Sequence, residues 1–294
     1  MKNILVVTGG AGFIGSNLIE ELIKFSKYKI ISLDNYSSGS LNNHIKNKGV
    51  KYLKGSTQDI ESLLKVYKSS IHTIFHFGEF GRIYQSFKKI NECFSSNVEG
   101  SLNVFNFALK NKIKLIYSAT SASLGNGGKD MNLSPYAFSK AKNLQLLENL
   151  KKWFNFRYET IYFYNVYGKR QICKGDMATV IGIFEDHFKK SKKLPVVRPG
   201  TQTRRFTHVF DTVKACIFAW RKNKCKHYSI ASKQSFSIIK LAKLFKSKIR
   251  YLPIRKGERF VSALTKINLN NKIIRLPAKI KLKDYVKNFL SNNH

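Results

Sequence analysis

The stretch Thr8-Gly9-Gly10-Ala11-Gly12-Phe13-Ile14-Gly15 decides how the first part of this chain folds. It follows an apolar run over residues 4–7 and precedes a segment with the apolar spacing of a helix. In such a strand-to-helix turn Gly9 permits the tight bend, Gly12 lets the backbone approach a pyrophosphate, and Gly15 allows close helix–strand packing. The start of the helix offers N–H groups and a positive dipole to phosphates. The stretch therefore predicts a dinucleotide site.

Asp34 indicates which dinucleotide the turn binds. It ends a predicted strand over residues 29–34, where an acid can accept hydrogen bonds from the adenosine ribose. A carboxylate there repels a 2′-phosphate, so the sequence favours NAD over NADP. The alternative is a strand–helix turn with incidental glycines. The strand before the turn, the helix after it and Asp34 together argue against that alternative.

Short apolar runs alternate with longer amphipathic segments along the first half of the chain. This alternation predicts an α/β protein with a Rossmann-type, doubly wound parallel sheet and helices on both faces. The predicted strands cover residues 4–8, 29–34, 50–54, 73–77, 114–118 and 157–162. The predicted helices cover residues 12–25, 90–111, 135–154, 177–189, 213–221 and 237–247.

The alternation loosens beyond Asn165 into loops, short strands and a few helices. We expect a dinucleotide-binding domain over residues 1–164, completed by residues 206–232. We expect a smaller mixed α/β lobe, which binds the substrate, over residues 165–205 and 233–294.

The charge of the chain is unusual, because 53 basic and 17 acidic residues give a formal net charge of +36. The excess is mostly lysine and is scattered, and its densest cluster spans only residues 188–193. Nucleic-acid sites concentrate their basic residues on one face or helix. We therefore interpret the charge as general surface charge and expect no specific nucleic-acid partner. A catalytically inactive Rossmann protein that binds nucleic acid is the alternative from a different class.

The remaining composition indicates a cytoplasmic protein. No apolar run approaches the roughly 18 residues of a membrane span, so we expect no membrane association. Residues 1–3 lead directly into the first strand and leave no room for a signal peptide. The four cysteines are widely separated and lack the spacing of a zinc or redox motif. We therefore expect reduced thiols and no metal.

Tyr136 and Lys140 form the first part of a candidate catalytic site. They follow Ser134-Pro135, which predicts a helix with serine as N-cap and proline at its first position. A spacing of four residues places both side chains on one helix face. A nearby ammonium and a positive nicotinamide favour tyrosinate over neutral tyrosine, so the pair can act as a base. An exposed tyrosine and lysine are an equally common explanation for this pair alone.

Thr120 adds weight to the catalytic interpretation. It follows the strand over residues 114–118, and the carboxyl ends of such strands form the ligand crevice. Its hydroxyl can bridge a substrate oxygen and Tyr136. Ser121 is a rival for that role, and Ser118 could also lie within reach.

Together these motifs resemble the extended short-chain dehydrogenase/reductase family, and within it the NAD-dependent nucleotide-sugar epimerases and dehydratases, such as UDP-glucose 4-epimerase. Nearly the whole chain is covered, with further motifs at Phe77-Gly78, Asn97, Tyr164-Asn165 and residues 200–209. The resemblance implies NAD as cofactor, a nucleotide-sugar substrate, and a homodimer formed through the helices over residues 90–111 and 135–154. The implied cofactor contacts are Gly9, Gly12, Phe13, Ile14, Gly15, Asp34, Asn35, Ser56, Thr57, Phe77, Gly78, Asn97, Ser118, Tyr136, Lys140 and Tyr164.

The resemblance also implies which residues bind the substrate. Asn165, Arg204 and Arg255 would hold its diphosphate, which suits the forked, permanently charged guanidinium group. Each arginine alone could equally be a surface charge. Ser262 aligns with a position whose size limits a 2-N-acetyl group, and a serine would admit that group. The full implied set is Glu79, Thr120, Ser121, Tyr136, Asn165, Arg204, Arg255 and Ser262.

The residues after Thr120 bear on the reaction. Ser121 and Ala122 stand where the 4,6-dehydratases carry an Asp-Glu pair, and decarboxylating members keep a glutamate nearby. A 4-epimerase needs no such acid. We predict C4 epimerisation of a UDP-hexose or UDP-N-acetylhexosamine through a transient 4-keto intermediate, with NAD regenerated in each cycle. The alternative is a nucleotide-sugar reductase or another epimerase or dehydratase of this family.

Several positions depart from the family pattern. Gly78-Glu79 replaces two residues that are usually small, which puts a carboxylate near the sugar. Glu79 could contact a sugar hydroxyl, contact an amino group, or form an ion pair. Gly81 replaces a frequent polar residue, Arg205 an acid and Lys169 a proline. An unusual substrate is consistent with these departures.

Overall fold

The structure, a computed structural model, describes residues 2–122, 130–258 and 273–293. Its strands are β1 (Ile4–Thr8), β2 (Lys29–Asp34), β3 (Val50–Lys54), β4 (Ile71–His76), β5 (Lys114–Thr120), β6 (Tyr158–Phe163), β7 (Val166–Tyr167), β8 (Leu194–Val197), β9 (Thr203–Arg205), β10 (Thr207–His208), β11 (His227–Ser229), β12 (Ser235–Ser237), β13 (Ile249–Leu252) and β14 (Ile273–Arg275). Its α-helices are α1 (Phe13–Leu22), α2 (Ile60–Leu63), α3 (Ile83–Lys88), α4 (Ile90–Phe94), α5 (Ser101–Lys110), α6 (Pro135–Phe154), α7 (Val180–Lys189), α8 (Val209–Lys222), α9 (Ile238–Leu244) and α10 (Leu282–Ser291).

Eight parallel strands form the large sheet of the described part, in the order β14-β11-β6-β5-β4-β1-β2-β3. The chain builds outward from β1 to β3 and then crosses to β4 on the other side of β1. This reversal of direction creates the crevice in which ligands bind in such sheets. The predicted Rossmann-type fold is confirmed.

Helices cover both faces of this sheet, and alternate residues of one strand face opposite cores. Val6 packs in one core with Phe105 of α5. Leu5 packs in the other core with Leu18 of α1 and Val213 of α8. All five residues of β1 are buried, as expected for a parallel strand covered on both sides. The result is a helix–sheet–helix arrangement in three layers.

Among the described residues, a third core and three two-stranded sheets lie mainly in the segments predicted for the smaller lobe. Phe184 of α7, Phe245 after α9 and Leu290 of α10 meet in this core. One strand departs from the predicted ranges, because β14 pairs with β11 at the edge of the large sheet. The division of the chain into two lobes otherwise stays a prediction.

The helix boundaries follow local capping groups. α6 begins as predicted, because the Ser134 hydroxyl accepts from the Ala137 amide at 3.1 Å. The predicted helix over residues 90–111 consists of α4, a π-helical turn over Ser95–Gly100, and α5. α7 begins three residues later than predicted, where Thr179 caps the Gly182 amide at 3.0 Å. No described helix is long and apolar enough to span a membrane.

Candidate active site

A cleft of about 1000 Å³ opens at the carboxyl ends of β1, β4 and β5. Its walls come from the loops of the large sheet and from segments near residues 165–206 and 255–258. Most of the predicted site residues line it. These are Gly9, Gly12, Phe13, Ile14, Gly15, Asp34, Asn35, Ser56, Thr57, Phe77, Gly78, Glu79, Ser118, Thr120, Ser121, Tyr136, Lys140, Asn165, Arg204 and Arg255. Ser262 lies outside the described residues.

The glycine turn packs so closely against neighbouring backbone that side chains are excluded at two of its positions. Gly9 has a φ of +69°, and a Cβ there would lie 2.9 Å from the Gly78 amide nitrogen. A Cβ on Gly15 would collide with the Gly9 carbonyl oxygen. Gly12 is the N-cap of α1 and has no side chain to occupy the first amides. These features fit the pyrophosphate of NAD.

Asp34 is held firmly at the end of β2. Its Oδ2 accepts from the Ala11 amide at 2.9 Å, and its Oδ1 accepts from the Tyr36 amide at 2.8 Å. Burial raises the pKa of Asp34, and these amides oppose that rise. Each carboxylate oxygen keeps acceptor capacity for a ribose hydroxyl. The residue therefore fits the role predicted for it.

Thr120, Tyr136 and Lys140 meet in the cleft, Thr120 at the end of β5 and the other two in the first turns of α6. Burial raises the pKa of Tyr136 to about 12. The Thr120 hydroxyl and the Arg82 guanidinium oppose the rise, and the Glu79 carboxylate adds to it. Tyr136 therefore holds its proton firmly in this protein environment. The tyrosinate expected from the Lys140 charge is therefore disfavoured here, by burial first and by the Glu79 carboxylate in addition.

Glu79 forms an ion pair with Lys140, which was one of the three roles that the sequence left open. The Lys140 Nζ contacts Glu79 Oε2 and donates to the Ser118 carbonyl, and it lies 4.2 Å from the centre of the Tyr117 ring. Both side chains of the pair are only 4% exposed. Glu79 also lines the cleft, so its contact with a substrate stays a prediction.

Asn97 and Tyr164, which the resemblance implied as cofactor contacts, do not line the cleft. Asn97 is fully buried. Its Oδ1 accepts from the Phe80 amide, and its Nδ2 donates to the Phe80 carbonyl and to the Ser139 hydroxyl. The Tyr164 hydroxyl lies 3.1 Å from the Ser229 hydroxyl, and the side chain is buried. Asn97 thus holds Phe80, which lines the cleft, whereas the polar group of Tyr164 is bonded away from the cleft, as buried polar groups usually bond internally.

The residues predicted to bind the diphosphate line the cleft with partners of their own. Arg204 Nη2 lies 2.5 Å from Glu258 Oε1, so a diphosphate would compete with this carboxylate. The Arg255 guanidinium lies 5.1 Å from the centre of the Tyr84 ring. Asn165 donates to the Arg205 carbonyl at 2.9 Å. Their contacts with a substrate stay predictions.

Arg82 is a cleft residue that the sequence reasoning missed. Its Nε donates to the Met177 carbonyl at 3.0 Å, and its Nη1 donates to the Gly81 carbonyl at 3.0 Å. All 17 acidic side chains belong to described residues, and none forms an ion pair with Arg82. Nothing in the sequence around it distinguishes it from a surface arginine.

The chain belongs to the NAD dependent epimerase/dehydratase family, whose model matches residues 5–231. A protein of Methanocaldococcus jannaschii, named provisionally as a UDP-glucose 4-epimerase, is 30% identical over 271 residues, which are 87% of each chain. The UDP-N-acetyl-alpha-D-glucosaminuronate decarboxylase of Bacillus cytotoxicus is 29% identical over 87% of this chain and 85% of its own.

Among solved structures, the UDP-glucose 4-epimerase of Thermotoga maritima with UDP-glucose superposes with a TM-score of 0.86 at 25% identity. The match covers 98% of this chain and 97% of that one. This protein is therefore an NAD-dependent enzyme of the nucleotide-sugar epimerase and dehydratase type. The glycine turn and Asp34 are the features of its cleft that fit the cofactor.

Proposed function

We propose that this enzyme inverts a nucleotide-activated sugar at C4. The observation that carries the proposal is that Thr120, Tyr136 and Lys140 line one cleft with the glycine turn and Asp34. Bound NAD would supply hydride acceptance and return at C4 and a positive charge that favours tyrosinate. Tyr136 takes the proton of the sugar 4-hydroxyl and later returns it, and the Thr120 hydroxyl orients that oxygen.

The two residues that follow Thr120 are not acidic, which favours epimerisation over dehydration and decarboxylation. Ser121 and Ala122, which follow it, are buried at the cleft and have no acid–base group for an extra proton transfer. Glu79 also lines the cleft, but it is paired with Lys140. The described residues beside Thr120 thus offer a base for the 4-hydroxyl, and the one carboxylate among them, Glu79, is paired with Lys140.

The direct test is incubation with UDP-glucose, UDP-galactose and their N-acetyl forms, with products identified by NMR. We expect interconversion of at least one pair without net change in NADH absorbance. Tyr136→Phe should lower the rate by about a hundredfold or more. Net NADH consumption with each turnover would identify a reductase instead, and no interconversion of any sugar tested would count against the proposal.

Arg82 favours a second candidate, a sugar that carries a carboxylate. A partly buried guanidinium without a counter-ion is costly, and a hexuronate in the cleft would supply one. The test compares UDP-glucuronate with UDP-glucose in the wild type and in Arg82→Met. Selective loss of kcat/KM for the uronate supports this candidate, whereas equal loss on both sugars contradicts it.

We also propose that the enzyme is a homodimer that pairs through α4, α5 and α6. Ile90, Leu102 and Phe138 on these helices are exposed apolar residues, with exposed fractions of 50%, 40% and 36%. Large apolar side chains grouped on packed surface helices mark interaction sites. The family resemblance implies a dimer formed through the helices over residues 90–111 and 135–154, and α4, α5 and α6 lie in these ranges.

A further inference from the structure

Glu79 is surrounded by hydrogen-bond donors as well as by Lys140. Its Oε1 accepts from the Ser101 hydroxyl at 3.0 Å, the Tyr117 hydroxyl at 3.1 Å and the Asn143 amide at 3.2 Å. A carboxylate oxygen has acceptor capacity for several such bonds at once. The Glu79 carboxylate is therefore held by side-chain donors on one oxygen and by Lys140 on the other.

A directed chain of hydrogen bonds leads from the first strand to this anion. The Thr8 hydroxyl oxygen accepts from the amides of residues 77 and 78, so its own hydrogen is donated to His76 Nδ1, at 2.8 Å. Burial lowers the pKa of His76 to about 4, so the ring is neutral at neutral pH. Its one proton then lies on Nε2 and is donated to Ser101 at 3.0 Å. Ser101 in turn donates to Glu79.

This series of hydrogen bonds holds Glu79 in a fixed orientation, because each side chain in it is buried. Thr8, His76 and Ser101 are fully inaccessible to solvent. Glu79 thereby connects the strand that ends in the glycine turn with the lysine of α6, which is 61 residues away in sequence. Lys140 is confined between this carboxylate, the Ser118 carbonyl and the Tyr117 ring.

We propose that Glu79 is a positioning residue, which fixes the Lys140 ammonium and offsets its charge at Tyr136. A small side chain at this position would leave the ammonium without a partner of opposite charge in the described cleft wall. The inference rests on the proposed function because it takes Tyr136 as the group that moves the sugar proton. It assigns to Glu79 control over the proton affinity of the pair, separately from any contact of its carboxylate with the sugar.

The kinetic test is the pH dependence of kcat/KM in Glu79→Gln. A nearby anion favours the protonated forms of both Tyr136 and Lys140, so its removal lowers both pKa values. Both limbs of a bell-shaped profile should then move to lower pH, by about one unit. Unmoved limbs, with only a lower maximum, would overturn the proposal. Glu61→Gln, an exposed acid on α2, is the matched control and should keep the wild-type profile.

A second measurement needs neither sugar nor cofactor. The tyrosinate absorbance is titrated in wild type and Glu79→Gln, and the curve of the matching Tyr136→Phe protein is subtracted from each. The Tyr136 midpoint should fall in Glu79→Gln, and an unchanged midpoint contradicts the inference. A falling midpoint in a protein that turns over no sugar would preserve the role of Glu79 and reject the proposed function.

Glu79→Asp separates position from charge and keeps the proposal testable if the glutamine variant does not fold. The aspartate keeps the negative charge but withdraws it from Lys140 by one methylene. We expect kcat to fall by about tenfold or more, as is typical when a catalytic group is misplaced. The limbs of the pH profile should stay closer to those of the wild type than in Glu79→Gln. A wild-type kcat in Glu79→Asp would overturn the positioning role.

Discussion

Groups of opposite effect surround the Tyr136 hydroxyl. Burial and the Glu79 carboxylate stabilise the neutral form, whereas the Thr120 hydroxyl and the Arg82 guanidinium stabilise the tyrosinate. A tyrosine with a pKa of about 12 is a poor base on its own at neutral pH. The positive charge of oxidised NAD would lower the pKa of Tyr136 and so favour the tyrosinate that the proposed mechanism uses.

Replacement of Thr120 tests this balance. Thr120→Val removes a hydroxyl that lowers the pKa of Tyr136, so that pKa should rise further. Because the proposed mechanism uses tyrosinate, the acid limb of kcat/KM should move to higher pH, and the maximum should fall about a hundredfold. The pH profile of purified protein measures both effects. A shift of the acid limb to lower pH would show that Thr120 does not stabilise the tyrosinate.

We propose that Asp34 governs the choice of cofactor. Asp34→Asn keeps the size of the side chain but removes its negative charge. That charge would strengthen hydrogen bonds from ribose hydroxyls and repel a 2′-phosphate. Loss of a charged hydrogen bond costs about 1.5–3 kcal/mol, so the Kd for NADH should rise about tenfold or more. The discrimination against NADPH should shrink. Fluorescence titration with both cofactors checks this, and an unchanged ratio of the two Kd values is the contrary result.

At the scale of elements, the sequence was sufficient to predict where a strand or helix begins or ends if a local motif sets that boundary. The strand β1 and the helix α6 lie where predicted, because the glycine turn ends one and Ser134-Pro135 starts the other. The short strands β7–β10, β12 and β13 were not individually predicted. They are two to four residues long and exist through pairing with distant segments.

The capping of α6 gives a prediction for stability. Ser134→Ala removes the acceptor of the Ala137 amide and should lower the free energy of unfolding by about 1 kcal/mol. Because this helix carries Tyr136 and Lys140, kcat should fall as well. Urea unfolding monitored by circular dichroism measures the first effect. An unchanged midpoint at an unchanged slope would contradict the assigned cap.

The same distinction between local and distant signals explains which parts of the candidate site could be predicted from the sequence. The spacing of Tyr136 and Lys140 along one helix, and of the glycines along one turn, is encoded locally and could be predicted. The pairing of Lys140 with Glu79 depends on how two distant segments meet, so the sequence left three roles open for that acid. Asn97 lies behind the cleft wall for the same reason, since its direction depends on packing against Phe80.

At the scale of the whole molecule, the proposed dimer accounts for apolar surface on α4, α5 and α6. Leu102→Lys places a charge on this surface, and because the side chain is 40% exposed the fold should persist. We expect a monomer by size-exclusion chromatography with light scattering. Leu41→Lys, at an apolar residue 69% exposed elsewhere, should leave the dimer intact. A wild-type monomer would reject the proposal.

The proposed chemistry at C4 can be followed with a label on that carbon. The enzyme is incubated with a UDP-hexose deuterated at C4 in ordinary water, and NMR and mass spectrometry locate the label. We expect a C4 epimer that keeps its deuterium at C4, because the hydride leaves and returns within one cleft. Deuterium lost to solvent or transferred to C6 would show that the sugar is not inverted by hydride return at C4.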